Sequence, residues 1–564
     1  MSTMAKFVIY EVLPRLFGNY NTMNKYNGSI EENGCGKFDS FTDKALQEIK
    51  SLGVTHIWYT GILEHATQTD YSAYGIKKDF PCIVKGKAGS PYAVKDYYDV
   101  DPDLAEYVPE RMKEFENLID RTHAAGLKVI IDFVPNHVAR QYYSDAKPKG
   151  VEDFGERDHP EWAFSPLNNF YYIPRQPFAP QFDIDGYYEF PAKATGNDQF
   201  TPSPTIYDWY DTVKLNYGVN YMEGMQKQFD PIPDTWFKML DILLFWVGKG
   251  IDGFRCDMAE MIPVEFWNWA LVQVKEKYPD IIFIAEIYKF PEYRNYLCNG
   301  KFDYLYDKIG LYETLRNVTT RNYPARNITY AWQQLNGIEN YMLNFLENHD
   351  EQRIASGFFA GDGMYAQPAM IVAATLTKAP VLIYFGQELG ELGMDIEGFS
   401  GLDGKTSIFD YWGVKSIQAW ANNGKFDGAK LTKKQKELRN FYQKLLNITL
   451  REKAITDGVM YDLEYANFNN PNFNTHEQFS YIRKYEDELL LFVLNFDDKE
   501  LYTEVRIPLE AFQFLDLSVD QHYSGINLLD ESEKISHIFL SPDVYFKTIL
   551  PPWKGKIFKL TQES

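Results

Sequence analysis

The sequence predicts an α/β protein: a (β/α)8 TIM barrel with a subdomain inserted after its third strand and an antiparallel β-sandwich domain at its C-terminus. Three observations carry this. Short apolar runs alternate with longer helical stretches up to about residue 450, the pattern of parallel β/α units. The stretch 138–233 breaks that rhythm, being rich in aromatics, Pro and Gly with little helical periodicity. A structureless loop of that length is improbable in a compact domain, so it reads as an inserted subdomain. Beyond about residue 450, strand-like runs follow one another without helices between them.

The elements follow in order. The first strand is expected at 8–13, and a helical segment at Asp43–Ser51 precedes the second at 54–59. A helix over 109–125 stops at Gly126 before the third strand at 127–134. A helix over 234–247 leads through Gly248 and Gly250 into 251–255, and one over 263–277 leads into 281–287. The last three barrel strands are expected at 302–306, 341–346 and 380–385. In the tail, 479–484, 489–495 and 503–507 read as antiparallel strands. The chain thus divides into a barrel (1–137 and 234–450), an insertion (138–233) and a terminal β-sandwich (451–564).

Composition narrows the function. With 57 Lys+Arg against 79 Asp+Glu the formal charge is −22, a field that repels nucleic-acid phosphates and anionic lipid. Neither nucleic acid nor a membrane is an expected partner, whereas a neutral substrate loses nothing. The four cysteines, Cys35, Cys82, Cys256 and Cys298, form no CxxC pair, so neither a zinc knuckle nor a disulfide framework is indicated. Aromatic residues at 16% suit a sugar cleft and a large core equally. The first 17 residues lack the basic and apolar regions of a secretory leader, and no apolar run reaches membrane-span length. The chain reads as soluble and cytoplasmic; its oligomeric state is left open.

In a (β/α)8 barrel the chemistry sits where strands end, so the polar residues there are the ones to test. The third strand ends in Asp132 and runs on through Asn136 and His137. The fourth carries Arg255 and Asp257, the fifth Glu286, and the seventh Asn348, His349 and Asp350. Asp257 and Glu286 lie 29 residues apart, about one β/α unit, and Asp350 follows 64 later, about two. The three carboxylates therefore converge on one barrel mouth. Singly, each has a plain structural reading, an Asp at a strand end being most often a helix cap. Together they suit glycosidic cleavage, in which one carboxyl stays protonated to donate to the leaving oxygen and another stays ionised to attack the anomeric carbon.

The segments DFVPNH, GFRCDMAE, AEIY and FLENHD resemble the four signature regions of the alpha-amylase family, glycoside hydrolase family 13, in the family's order and strand positions. The resemblance implies a retaining glycosidase acting on α-glucans or malto-oligosaccharides, with Asp257 as nucleophile, Glu286 as general acid/base and Asp350 as the third carboxylate. It further implies that Arg255, His137, His349, Tyr92, Asn348 and Asp132 bind or support the sugar. Asn136 sits where many members bind calcium, so a calcium ion is the one implied cofactor and no organic cofactor is expected. Val213 to Asn216 resembles a fifth family region within the insertion.

Three departures stand out. Ser90 replaces the family's histidine ahead of Tyr92. The first loop, around Asn19, Asn21, Asn24 and Asn27, offers few carboxylates for a metal. Ala259 and Glu260 replace the basic residue that follows the nucleophile in many endo-acting members. Two alternatives to hydrolysis stay open at this point: a transglycosylase or sucrose- or trehalose-acting enzyme of the same family, and a non-catalytic carbohydrate-binding or partner subunit.

Overall fold

The computed structural model describes residues 5–563. Among them, eight parallel strands close into a barrel. They are β1 (Val8–Val12), β2 (His56–Tyr59), β3 (Lys128–Phe133), β4 (Gly253–Cys256), β5 (Ile282–Ala285), β6 (Tyr304–Tyr306), β7 (Met342–Phe345) and β8 (Val381–Tyr384). The barrel shuts where β1 pairs with β8, Val8 opposite Val381 and Glu11 opposite Tyr384. Every predicted barrel strand is present, its ends displaced by no more than two residues.

The two-residue period of the strands sorts side chains between two cores. Ile9, Trp58, Ile130, Ile284, Leu343 and Leu382 pack with one another inside the barrel. Their neighbours Tyr10, Ile57, Ile131, Phe254, Phe283 and Ile383 join the larger core between strands and helices. The inward parity that places Ile9, Ile130 and Ile284 also aims Glu11, Asp132 and Glu286 at the barrel axis, one step nearer the C-terminal mouth. Arg255 on β4 and Asp257, just past its end, share it. The local signals are regular. Thr42 caps the helix Asp43–Ser51 by accepting from the Ala45 N–H. Gly126 and Gly250, at φ +76° and +96°, turn the chain from a helix end into β3 and β4, a conformation that L side chains rarely adopt.

After β3 the chain builds three small antiparallel ribbons before the helix Asp234–Gly248. His137–Ala139 pairs with Thr212–Lys214, Tyr172–Ile173 with Ala192–Lys193, and Val219–Asn220 with Gln226–Lys227. A second excursion, not anticipated from the sequence, follows β2: Leu63–His65 pairs with Val94–Val100 and carries the loop containing Ser90 and Tyr92.

At the C-terminus a six-stranded antiparallel sheet runs Val459–Asp462, Gln478–Tyr485, Glu488–Asn495, Gly555–Gln562, Gln521–Asn527, Lys534–Leu540. The pair Leu501–Val505 and Phe546–Leu550 faces it, so that Val505 and Phe546 pack with Leu491, Val493 and Phe558 as in a sandwich. The strand expected at 503–507 lies two residues earlier. Arg483, 1% exposed, donates to the carbonyls of Leu376, Ala454, Ile455 and Gly458 and so pins this sheet to the barrel's last helices. No helix among the described residues is long and apolar enough to cross a membrane.

Candidate active site

The site is organised around Arg255, which is buried just above the barrel's apolar layers. Its Nη1 donates to Asp257 Oδ1 at 2.7 Å and, more weakly, to Asp132 Oδ1 at 3.4 Å. Its Nη2 lies 2.8 Å from Glu286 Oε2 as an ion pair, and its Nε donates to the Tyr306 hydroxyl at 3.1 Å. The rings of Trp58, Tyr92 and Tyr306 surround the guanidinium at 5.4, 5.3 and 5.6 Å. A planar fork with several fixed donors is suited to hold two carboxylates at once. Glu286 has two further donors: the Met258 N–H reaches Oε2 at 2.7 Å and the Tyr288 hydroxyl reaches Oε1 at 2.5 Å. Met258, at φ +43°, bends its amide toward Glu286 directly after Asp257.

His349 joins the opposite wall. Its Nδ1 contacts Glu11 Oε1 at 2.5 Å, and its Nε2 contacts the Tyr92 hydroxyl at 2.7 Å and Asp350 Oδ2 at 3.0 Å. Burial alone would keep this imidazole neutral, but the Asp350 and Glu11 carboxylates outweigh it and hold the ring well above its usual range, hence cationic. Asp350 answers in kind: burial opposes its charge, yet His349 and then Arg255 hold it below the usual carboxylate range. Its side chain is 45% exposed, so the ion pair with His349 outweighs burial. Asp257 is pushed the other way, well above that range, by burial first and then by the Glu286 and Asp132 carboxylates, with Arg255 opposing. Asp132 is raised to about 6, again chiefly by burial. His137 falls to about 3 through burial and the Lys214 and Lys85 charges, so it is neutral near pH 7. With Asn136 Nδ2 donating to its Nδ1 at 3.1 Å, the proton belongs on Nε2.

A cavity of about 180 Å³ opens onto these groups. Among the residues expected at the site, Tyr92, His137, Asp257, Glu286 and Asp350 line it. The others expected against substrate, Arg255, His349, Asp132 and Asn348, lie beneath that layer and orient it. Asn348 is 2% exposed and accepts the Asp350 N–H at 2.9 Å, a positioning contact. The sequence reading missed several contributors. Glu11 anchors His349, Tyr288 holds Glu286, and Trp209 with the Lys85–Asp211 ion pair at 3.1 Å walls the cavity. Glu11 was within reach, since it sits at a strand end with inward parity. Trp209 carried no periodic signal.

The sequence model of the alpha amylase catalytic domain matches residues 11–445, most of the chain. The chain belongs to the alpha-amylase family of glycoside hydrolases. It is 25% identical to Alpha-amylase 3 of Dictyoglomus thermophilum over 471 residues, covering 80% of this chain and 78% of that one. To the cyclomaltodextrinase of Thermoanaerobacter pseudethanolicus it is 22% identical over 516 residues, covering 87% and 70%. The fold superposes on a maltogenic alpha-amylase from Thermotoga neapolitana with a TM-score of 0.63 at 19% identity, each chain covered to 98%.

Members of the alpha-amylase family often bind calcium, and Asn136 is the position where the resemblance places one. The residues here do not fit it. The Asn136 carboxamide oxygen accepts from Lys214 Nζ at 2.7 Å, and the same ammonium pairs with Asp198 Oδ1 at 2.6 Å. Lys214 is buried, so a dication at that oxygen would sit against a desolvated positive charge. The expectation of calcium at Asn136 is corrected accordingly: the ammonium already supplies the cation there. It is delivered by the ribbon register, which sets Lys214 opposite His137.

Proposed function

We propose that this enzyme hydrolyses α-glucosidic bonds of malto-oligosaccharides or related α-glucans by double displacement, with Asp257 as nucleophile, Glu286 as acid/base and Asp350 gripping the sugar hydroxyls. The observation that supports this best is the pair of carboxylates held by the terminal nitrogens of one guanidinium, Asp257 at 2.7 Å and Glu286 at 2.8 Å. Retaining enzymes need a separation of roughly 5–5.5 Å, whereas inverting ones need roughly 6.5–9.5 Å to admit a water. Carboxylates tied to a single fork favour the former.

The glucosyl unit to be cleaved enters the cavity between Tyr92 and His137, whose neutral ring offers an N–H to a hydroxyl. Glu286 gives its proton to the glycosidic oxygen as Asp257 Oδ attacks the anomeric carbon, and the C–O bond to the leaving sugar breaks. Glu286, now a carboxylate held by Tyr288 and the Met258 amide, takes a proton from water, whose oxygen replaces Asp257 on the sugar. At about 180 Å³ the cavity is small beside ordinary ligand pockets of roughly 300–1,000 Å³, which suits one enclosed sugar ring with the rest of the glucan outside. The printed names of the relatives, alpha-amylase, neopullulanase and cyclomaltodextrinase, support an α-glucan substrate and hydrolysis.

The test is product analysis with maltoheptaose, cyclodextrin, pullulan and sucrose for the parent and for Asp257→Asn. The parent releases smaller glucans from one or more of the first three, and the variant loses several orders of magnitude, since no covalent intermediate forms. An Asp257→Asn enzyme as fast as the parent overturns the reading.

A further inference from the structure

Away from the cavity, the excursion after β2 holds an arrangement of charges that the glycosidase chemistry does not use. Glu64 in Leu63–His65 lies directly across the ribbon from Asp96, with irregular register on both sides of it. Like charges facing each other across a strand pair are destabilising. A third carboxylate, Asp145, approaches from the segment that follows His137, and oxygens of all three lie within 4.8 Å of one another. Glu64 is 1% exposed and Asp96 is fully buried.

Their partners differ. Asp96 Oδ1 accepts from the Ser144 hydroxyl at 2.6 Å and the Tyr98 N–H at 2.8 Å, and Oδ2 accepts from the Ala146 N–H at 3.0 Å. Asp145 lies 3.5 Å from Arg111, which is engaged with Asp99. Glu64 has nothing: among the described residues neither of its oxygens finds a hydrogen-bond partner. The neighbouring ammonium of Lys95 is taken by Asp79 at 2.9 Å. Burial, reinforced by Asp145, Asp96 and Asp99, pushes Glu64 up to about 9. Leaving such a group unpaired is among the costlier things a fold does, and here it points into two other carboxylates.

We propose that Glu64, Asp96 and Asp145 bind a divalent cation of the calcium type, which ties the excursion after β2 to the start of the inserted segment. The donor set is all oxygen and anionic, with neither imidazole nor thiolate among the three, which selects a hard ion over zinc or copper. Bound there, the ion neutralises the cross-strand repulsion and gives Glu64 its missing partner. It also braces two segments that reach the cavity, one carrying Ser90 and Tyr92 and the other beginning at His137. This site is separate from Asn136, where Lys214 already stands.

The experiment uses the full chain, stripped with a chelator and returned to metal-free buffer, then titrated with calcium alone by calorimetry and by terbium luminescence. Thermal midpoints are read in parallel. The expected result is one saturable site and a midpoint that rises with calcium. In Glu64→Gln the affinity falls by roughly two orders of magnitude, since carboxylate count sets affinity in oxygen sites. Asp145→Asn, at the most exposed of the three positions, shows the same direction and keeps the test valid should Glu64→Gln fold poorly. Asn136→Ala should retain the calcium response. A parent that neither binds calcium nor gains stability from it overturns the proposal, as does a response undiminished in Asp145→Asn or Glu64→Gln or abolished only in Asn136→Ala.

Discussion

Replacing Arg255 by lysine keeps the charge and removes the fork, which isolates what the guanidinium geometry contributes. In the structure one side chain reaches Asp257 at 2.7 Å, Glu286 at 2.8 Å and the Tyr306 hydroxyl at 3.1 Å, with Asp132 at 3.4 Å. An ammonium on a four-carbon stem cannot hold the same carboxylates at the same angles. At least one charge-assisted contact is lost, worth about 1.5–3 kcal/mol, and the fit between the rings of Trp58, Tyr92 and Tyr306 is relaxed. If that loss falls on the alignment of nucleophile and acid, Arg255→Lys lowers kcat about 10- to 150-fold. KM should change little, because Arg255 does not line the cavity. Steady-state kinetics on maltoheptaose, with the thermal midpoint as a folding control, measures this. A correctly folded Arg255→Lys enzyme within about three-fold of the parent refutes the argument that the fork sets the carboxylate pair.

Three further outcomes follow from single contacts. Tyr288→Phe removes the hydroxyl that donates to Glu286 Oε1 at 2.5 Å, so kcat should drop about ten-fold at nearly constant KM; unchanged kinetics on the same substrate exclude a positioning role. Lys214→Met strands the Asn136 carbonyl and should cost about 1–3 kcal/mol, read as a lower denaturation midpoint, and a variant as stable as the parent removes the ammonium from the account. His65 is buried neutral, lowered to about 4 by burial and then by Arg15, whose Nη2 lies 2.5 Å from its Nε2. Because its folded value lies below the unfolded 6.5, its contribution is complete above pH 6.5 and is lost as pH falls toward 4, about 3 kcal/mol in all. His65→Gln should therefore lose less stability than the parent between those pH values in parallel melts.

The barrel was legible because its signals are local: short apolar runs alternating with helical stretches, some of them stopped by a glycine such as Gly126 or Gly250. The strand ends were legible for the same reason, and Asp257, Glu286 and Asp350 meet at one mouth as their spacing implied. What escaped depends on closure and on non-periodic chain. Glu11 matters only because β1 joins the ring and brings it to His349, 338 residues away in sequence. Lys214 lay in a stretch noticed for its resemblance, but its role required the register that sets it opposite His137. Trp209 and the ribbon after β2 sit in segments whose order comes from long-range contacts, and no window of sequence encodes those. Asn348, which the resemblance places against substrate, accepts the Asp350 N–H beneath the cavity instead, a contact only the folded chain shows.

Counting charges at the mouth gives the site its logic. Glu11, Asp132, Asp257, Glu286 and Asp350 face two cations, Arg255 and His349. Burial, reinforced by neighbouring carboxylates, shifts Asp132 and Asp257 upward, whereas Asp350, with its side chain 45% exposed, is held down by His349. His349 claims its charge from Glu11 and Asp350, which leaves Arg255 alone to serve Asp257, Glu286 and Asp132. That imbalance adds to burial in raising Asp257. The guanidinium fork, with the Met258 amide and the Tyr288 hydroxyl, determines how Asp257 and Glu286 are held. On this account burial and a shortage of cations act together to raise Asp257, and the arginine fork is what opposes them.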